Sequence, residues 1–142
     1  MVETARIRRL LLICGLLASV VWVGNDIVAG TLWQGYSFTD QAVSELSAIG
    51  SPTRSLVVSV SLVYDVLMIA FGLGVWTHTR QRSLRLIGSL AVIIGALGFA
   101  GVPFPLQLGV TEATFTNTMH SFQWILVANY STCARISKRQ IT

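Results

Sequence analysis

The distribution of apolar positions divides the chain into four long runs separated by polar segments. Leu10 to Trp33, Leu56 to Thr77, Leu84 to Val102 and Thr114 to Ala134 each approach the ~20 residues that a helix needs to cross a bilayer. The first run follows the basic cluster Arg6-Ile7-Arg8-Arg9, an arrangement shared with signal peptides. Its apolar pattern resumes after Asn25-Asp26, however, and the whole stretch reads as a retained helix. At 3.6 residues per turn, Gly15, Ser19, Trp22, Asp26 and Gly30 share one face, the side expected to meet other helices. In the second run, Ser61, Asp65, Met68 and Gly72 share a face. In the third, Gly88, Ala91, Gly95 and Gly98 form a narrow seam suited to close backbone packing, and Pro103-Phe104-Pro105 ends the helix. The fourth run places Asn117, His120, Trp124, Val127 and Ser131 together, with a brief apolar core.

Gln34 to Ser55 is the one substantial loop. Gly35, Gly50 and Pro52 punctuate it, and residues 39–46 predict a short helix capped by Thr39 or Asp40. Val43, Leu46 and Ile49 would lie on one side of it, packed against the membrane face. The expectation is a folded cap, not a disordered loop.

Composition changes the picture in one respect: charged residues are 11% of the chain, against ~25% in soluble domains. The net charge of +4 does not point to nucleic acid, because nine of the ten Lys and Arg residues flank apolar runs on one putative side, with only Arg54 on the other. That bias predicts an antiparallel all-α bundle of four transmembrane helices in the cell membrane, forming a single integral membrane domain with both termini cytoplasmic and loop 34–55 outside. Cys14 and Cys133 then lie toward the cytoplasm and read as small packing residues.

The candidate chemistry is ionisable groups in apolar surroundings. Asp65 lies near the middle of the second run, where an ionised group costs ~3 kcal/mol or more and should face helices or water. Asp26 and His120 fall toward the outer ends of their helices, while Ser44, Glu45 and Glu112 fall in outer loops. A histidine beside carboxylates can bind a cation, relay protons or act as a base. Plainer roles stand beside these: His120 as a satisfied bundle histidine, Asp26 and Glu45 as helix-end and cap residues, Ser44 as a cap and not a nucleophile. No metal site is expected, since His78 sits on the cytoplasmic side, and no cofactor is implied. Asn129-Tyr130-Ser131 matches a glycosylation acceptor but falls toward the cytoplasm.

Asp26-Ile27-Val28-Ala29-Gly30, Gly35-Tyr36-Ser37, Ser44 through Arg54, Phe104-Pro105 and Glu112 through His120 together resemble the membrane family known as domain of unknown function 998. The resemblance covers roughly Asp26 to His120. It departs from the family's pattern at Gln34, where proline is usual, at Asn117, where an acidic residue is usual, and in ending at Thr142 where relatives continue to about six spans. A truncated or naturally short member is the expectation. The resemblance implies no activity. The residues themselves favour a non-enzymatic membrane protein with a polar, outward-facing pocket for a lipid head group, small solute or partner protein. The pocket draws on Ser44, Glu45, Glu112 and Asn117, with Asp65 at its floor and self-association as a further expectation. The alternative is a membrane-embedded lipid hydrolase using His120 with Asp26 or Asp65.

Overall fold

A computed structural model of the chain describes residues 2–102, 106–108, 115–116 and 118–119. It contains three long α-helices, α1 (Val2–Leu32), α2 (Arg54–His78) and α3 (Arg82–Gly101), and one short 3₁₀ turn (Val43–Ser47) between α1 and α2. Each long helix is long and apolar enough to cross a membrane. The expected fourth helix, residues 114–134, falls almost wholly outside the described residues. The bounds of α2 and α3 lie within two residues of the expected runs. At its start α1 departs more: the basic cluster does not precede the helix but lies within it. Arginine has good helix propensity, so nothing in residues 6–9 breaks the pattern.

The three helices are antiparallel and form a row. α2 packs against both α1 and α3, whereas α1 and α3 share no contacts. The α1–α2 register is marked by Leu11 against Gly74, Gly15 against Phe71, and Trp22 in tilted contact with Tyr64 at 4.8 Å between ring centroids. Along α1 the most buried residues are Ala18, Asn25, Ala29 and Gly30. Gly15, Trp22 and Gly30 of the expected stripe are in contact, but Ala18, Asn25 and Ala29 take the buried places expected of Ser19 and Asp26. Ser19 is exposed and its hydroxyl bonds back to the Gly15 carbonyl at 3.1 Å, a local use that needs no partner helix.

The α2–α3 contact is built on glycine, as the seam in the third run predicts. A methyl group at Gly72 would lie 2.5 Å from the Gly88 carbonyl oxygen. One at Gly88 would lie 2.7 Å from the Gly72 carbonyl oxygen and 2.9 Å from the Trp76 nitrogen, and one at Gly95 2.6 Å from the Asp65 carbonyl oxygen. These neighbours are backbone atoms, which cannot swing away as a side-chain end can. At the far end of this pair the Arg85 guanidinium sits 4.5 Å over the Trp76 ring, a cation–π contact that joins the end of α2 to the start of α3.

Most large apolar side chains on the helices are exposed, including Leu16, Val20, Val63 and Leu73. In water this would be an unstable surface. In a bilayer it is the expected one, because association there comes from close packing rather than removal of apolar area from water. We predict that Gly88→Val lowers stability by ~2 kcal/mol or more through overpacking against backbone. Gly24→Ala, at a helical glycine with nothing within 4 Å of the new methyl, should be neutral or stabilising by up to ~1 kcal/mol. Thermal unfolding of both variants in detergent compares them directly.

Candidate functional site

The chain between α1 and α2 folds back over the end of α1 and holds the polar residues singled out in the sequence. Gly35, at φ +86°, and Gly50, at φ +95°, take left-handed backbone conformations that side chains disfavour. After the first of these, Ser37 and Asp40 form a turn, with the Ser37 hydroxyl donating to Asp40 Oδ2 at 2.6 Å. The Ser37 backbone amide donates to Gln41 Oε1 at 3.1 Å, and the Gln41 side-chain Nε2 donates to Glu45 Oε2 at 3.1 Å. Glu45 Oε1 accepts the Ala42 amide at 3.1 Å, starting the 3₁₀ turn. The cap of this short element is thus Glu45 reaching backward, not Thr39 or Asp40, which the preceding turn consumes.

Nor does the turn present Val43, Leu46 and Ile49 as one buried face. Leu46 is completely buried against Ala29 and Val57, while Val43 and Ile49 are exposed. Val43 is only the first residue of the turn, and Ile49 lies beyond its end at Ser47, after an extended Ala48, so no continuous helical face joins the three. Ile49 has a different job: its amide donates to the Leu106 carbonyl at 2.7 Å, and its carbonyl accepts the Leu108 amide at 3.4 Å. This short parallel pairing of Ile49 with Gln107 ties the α1–α2 connection to the segment after α3. The Ser51 and Thr53 hydroxyls both donate to the Leu46 carbonyl, at 2.9 and 3.0 Å, using both of its lone pairs.

Beneath this cap lies a small core of Ala29, Leu46 and Val57, with Trp33 and Tyr36 packed on it. Trp33, Tyr36 and Phe38 form a run of ring contacts, at 5.5 and 5.0 Å between successive centroids. The Phe38 ring covers Gly30, where a methyl group would overlap it. Asn25, 6% exposed, donates to the Val57 carbonyl at 3.4 Å and leaves its own Oδ1 buried without a partner among the described residues. The Tyr36 hydroxyl is likewise buried and unpartnered. Burial pushes it above the ordinary tyrosine value of 10.0, and the negative charges of Glu45 and then Asp26 push it the same way. Tyr36 is therefore the point on which both carboxylates act. The sequence signal for it was present only as part of Gly35-Tyr36-Ser37; an aromatic residue at a helix end reads first as an interfacial anchor.

The structure thus brings Asp26 and Glu45 into one electrostatic neighbourhood. The Glu45 oxygens are both engaged in holding the turn, whereas no hydrogen bond or ion pair engages the Asp26 carboxylate among the described residues. Ser44 lies in the turn, where its carbonyl accepts the Ser47 hydroxyl at 2.9 Å. Asp65 belongs elsewhere: it is 4% exposed and its carboxyl lies against Gly98 of α3. His120, Glu112 and Asn117 lie outside the described residues. His78 ends α2 at the opposite end of the row, its Nδ1 2.9 Å from the Gly74 carbonyl.

Among known proteins, the sequence model of the family described as "Protein of unknown function (DUF998)" matches residues 13–132. No curated protein and no solved structure matches the chain.

The Tyr36 environment makes a prediction about alkaline pH. An elevated folded value means that the unfolded chain loses the Tyr36 proton first. Its contribution to stability is complete below about 10 and declines as pH rises through the folded value. The tyrosinate absorbance of the wild type minus that of Tyr36→Phe should show this late titration. In Glu45→Gln, measured against its own Tyr36→Phe control, the titration should move back toward the ordinary range.

Proposed function

This chain belongs to the DUF998 family, and within it we propose a non-enzymatic binding protein of the cell membrane. Its α1–α2 connection forms a polar recognition site on the outer face. The Lys/Arg bias supports both termini on the cytoplasmic side, with four antiparallel spans as a single membrane domain. Arg80, Arg82 and Arg85 surround the α2–α3 turn, at the end of the row opposite the connection. Impermeant thiol labelling of single-cysteine variants tests this topology. On a background lacking Cys14 and Cys133, Asp40→Cys should react from outside intact cells and Arg82→Cys only after permeabilisation. The reverse pattern would invert the orientation.

The observation that carries the functional reading is the buried Tyr36 hydroxyl in the field of Glu45 and Asp26, together with the buried Asn25 oxygen, neither of them engaged among the described residues. Glu45 serves the fold, leaving Asp26 with uncommitted charge. The neighbouring Trp33, Tyr36 and Phe38 rings add faces that attract cations. Acceptors, one free carboxylate and aromatic faces suit a lipid head group or small solute that carries positive charge. Asp26 and Asn25 orient the ligand, and the aromatic rings shield it from water.

Native mass spectrometry of the purified protein with an ammonium-bearing phospholipid and an anionic phospholipid tests this. The ammonium-bearing lipid should be retained preferentially, and Asp26→Asn should weaken retention by ~5-fold or more, equivalent to ~1 kcal/mol. Equal retention of both lipids, unchanged by Asp26→Asn, would contradict the proposal.

A further inference from the structure

Asp65 is not part of the recognition site, and its surroundings raise a separate question. It lies 11 residues into α2, about 16 Å along the helix axis, near the middle of a span. It is 4% exposed, and no hydrogen bond or ion pair engages its carboxylate among the described residues. Its side chain points at Gly98: a methyl group there would occupy the space of both carboxyl oxygens. One turn earlier on α3, Gly95 faces the Asp65 backbone carbonyl. The end of the glycine seam is therefore shaped around the carboxyl group and is not merely a smooth packing surface.

We propose that this cradle is an exchangeable proton-binding site, in which Asp65 carries a proton at neutral pH. An unpaired carboxylate in a membrane span is strongly disfavoured, and protonation is the direct way to remove its charge. Among the described residues, the elements packed against it supply no cation to do so. From residue 86 to residue 101, α3 contains no ionisable residue. On α2 the adjacent group is the Tyr64 hydroxyl, and Tyr64 is covered by Trp22 of α1. From Leu10 to Leu32 the ionisable groups of α1 are Cys14 and Asp26, neither of them positive; its arginines lie at the other end, before Leu10. A metal ion needs several oxygen donors around it, and no group of three His, Cys, Asp or Glu exists among the described residues. A proton needs one carboxyl oxygen.

Infrared spectroscopy of the full chain in lipid, with and without carboxyl-¹³C aspartate, tests this without altering Asp65. The chain has three aspartates, Asp26, Asp40 and Asp65, so the labelled variant D26N/D40N isolates the Asp65 signal, and the labelled wild type controls for any effect of those substitutions. The expected result at pH ~7 is an isotope-sensitive C=O band of a protonated carboxyl that shifts on transfer to D₂O. Bands of a carboxylate alone at that pH would overturn the proposal. So would conversion to carboxylate bands on adding sodium, which would identify a metal-cation site. A protonated band that never shifts in D₂O would also overturn it, by showing a locked structural acid.

Discussion

Close backbone contact between α2 and α3 is the constraint on which the rest of the structure depends. Lipid offers no hydrophobic penalty for separating two apolar helices, so their association rests on packing that only small residues allow. Gly72 and Gly88 each face the other's backbone carbonyl, and Gly95 faces that of Asp65. This approach fixes α2 as the centre of the row. It also determines where Asp65 lies, since the carboxyl enters the space left by the absent side chain of Gly98. On its other side α2 receives α1 through a looser set of contacts, with Phe71 over Gly15 and Trp22 over Tyr64.

The connection between α1 and α2 solves a different problem. Its backbone leaves regular helix for some twenty residues, and its polar groups must be satisfied locally. The Ser44–Arg54 stretch does this residue by residue. Glu45 caps, Leu46 fills the core, Ile49 pairs with the segment after α3, Gly50 turns the chain, and Ser51 and Thr53 hold the Leu46 carbonyl. The motif most distinctive in the sequence therefore reads as scaffold. The groups it leaves available are its neighbours Asp26 and Asn25 and the Tyr36 hydroxyl.

The three described spans and the glycine seam were legible in the sequence because they depend on long, repetitive patterns: hydropathy over ~20 residues and small residues at helical spacing. The 3₁₀ turn was not. The spacing of Val43, Leu46 and Ile49 suits a continuous helix, but the helical backbone stops at Ser47, and so short an element carries too little periodicity to show where it ends. Asp26 and Glu45 are both candidates in the sequence, but their difference arises only in three dimensions: Gln41 and the Ala42 amide occupy Glu45, and among the described residues nothing comparable engages Asp26. Tyr36 was hidden for a related reason. Its significance is a buried hydroxyl in the field of Glu45 and Asp26, and local sequence does not report burial of a single atom.

The seating of the Asp65 carboxyl in the gap at Gly98 is the central physical claim, and a double-mutant cycle tests it most directly. Gly98→Ala, Asp65→Ala and the pair would be compared by unfolding in detergent. If the new methyl collides with the carboxyl, Gly98→Ala will destabilise the wild type and become tolerated once Asp65 is alanine, giving a coupling energy of ~1–3 kcal/mol. Additive effects within ~0.5 kcal/mol would show that the two positions do not meet, and would contradict the account.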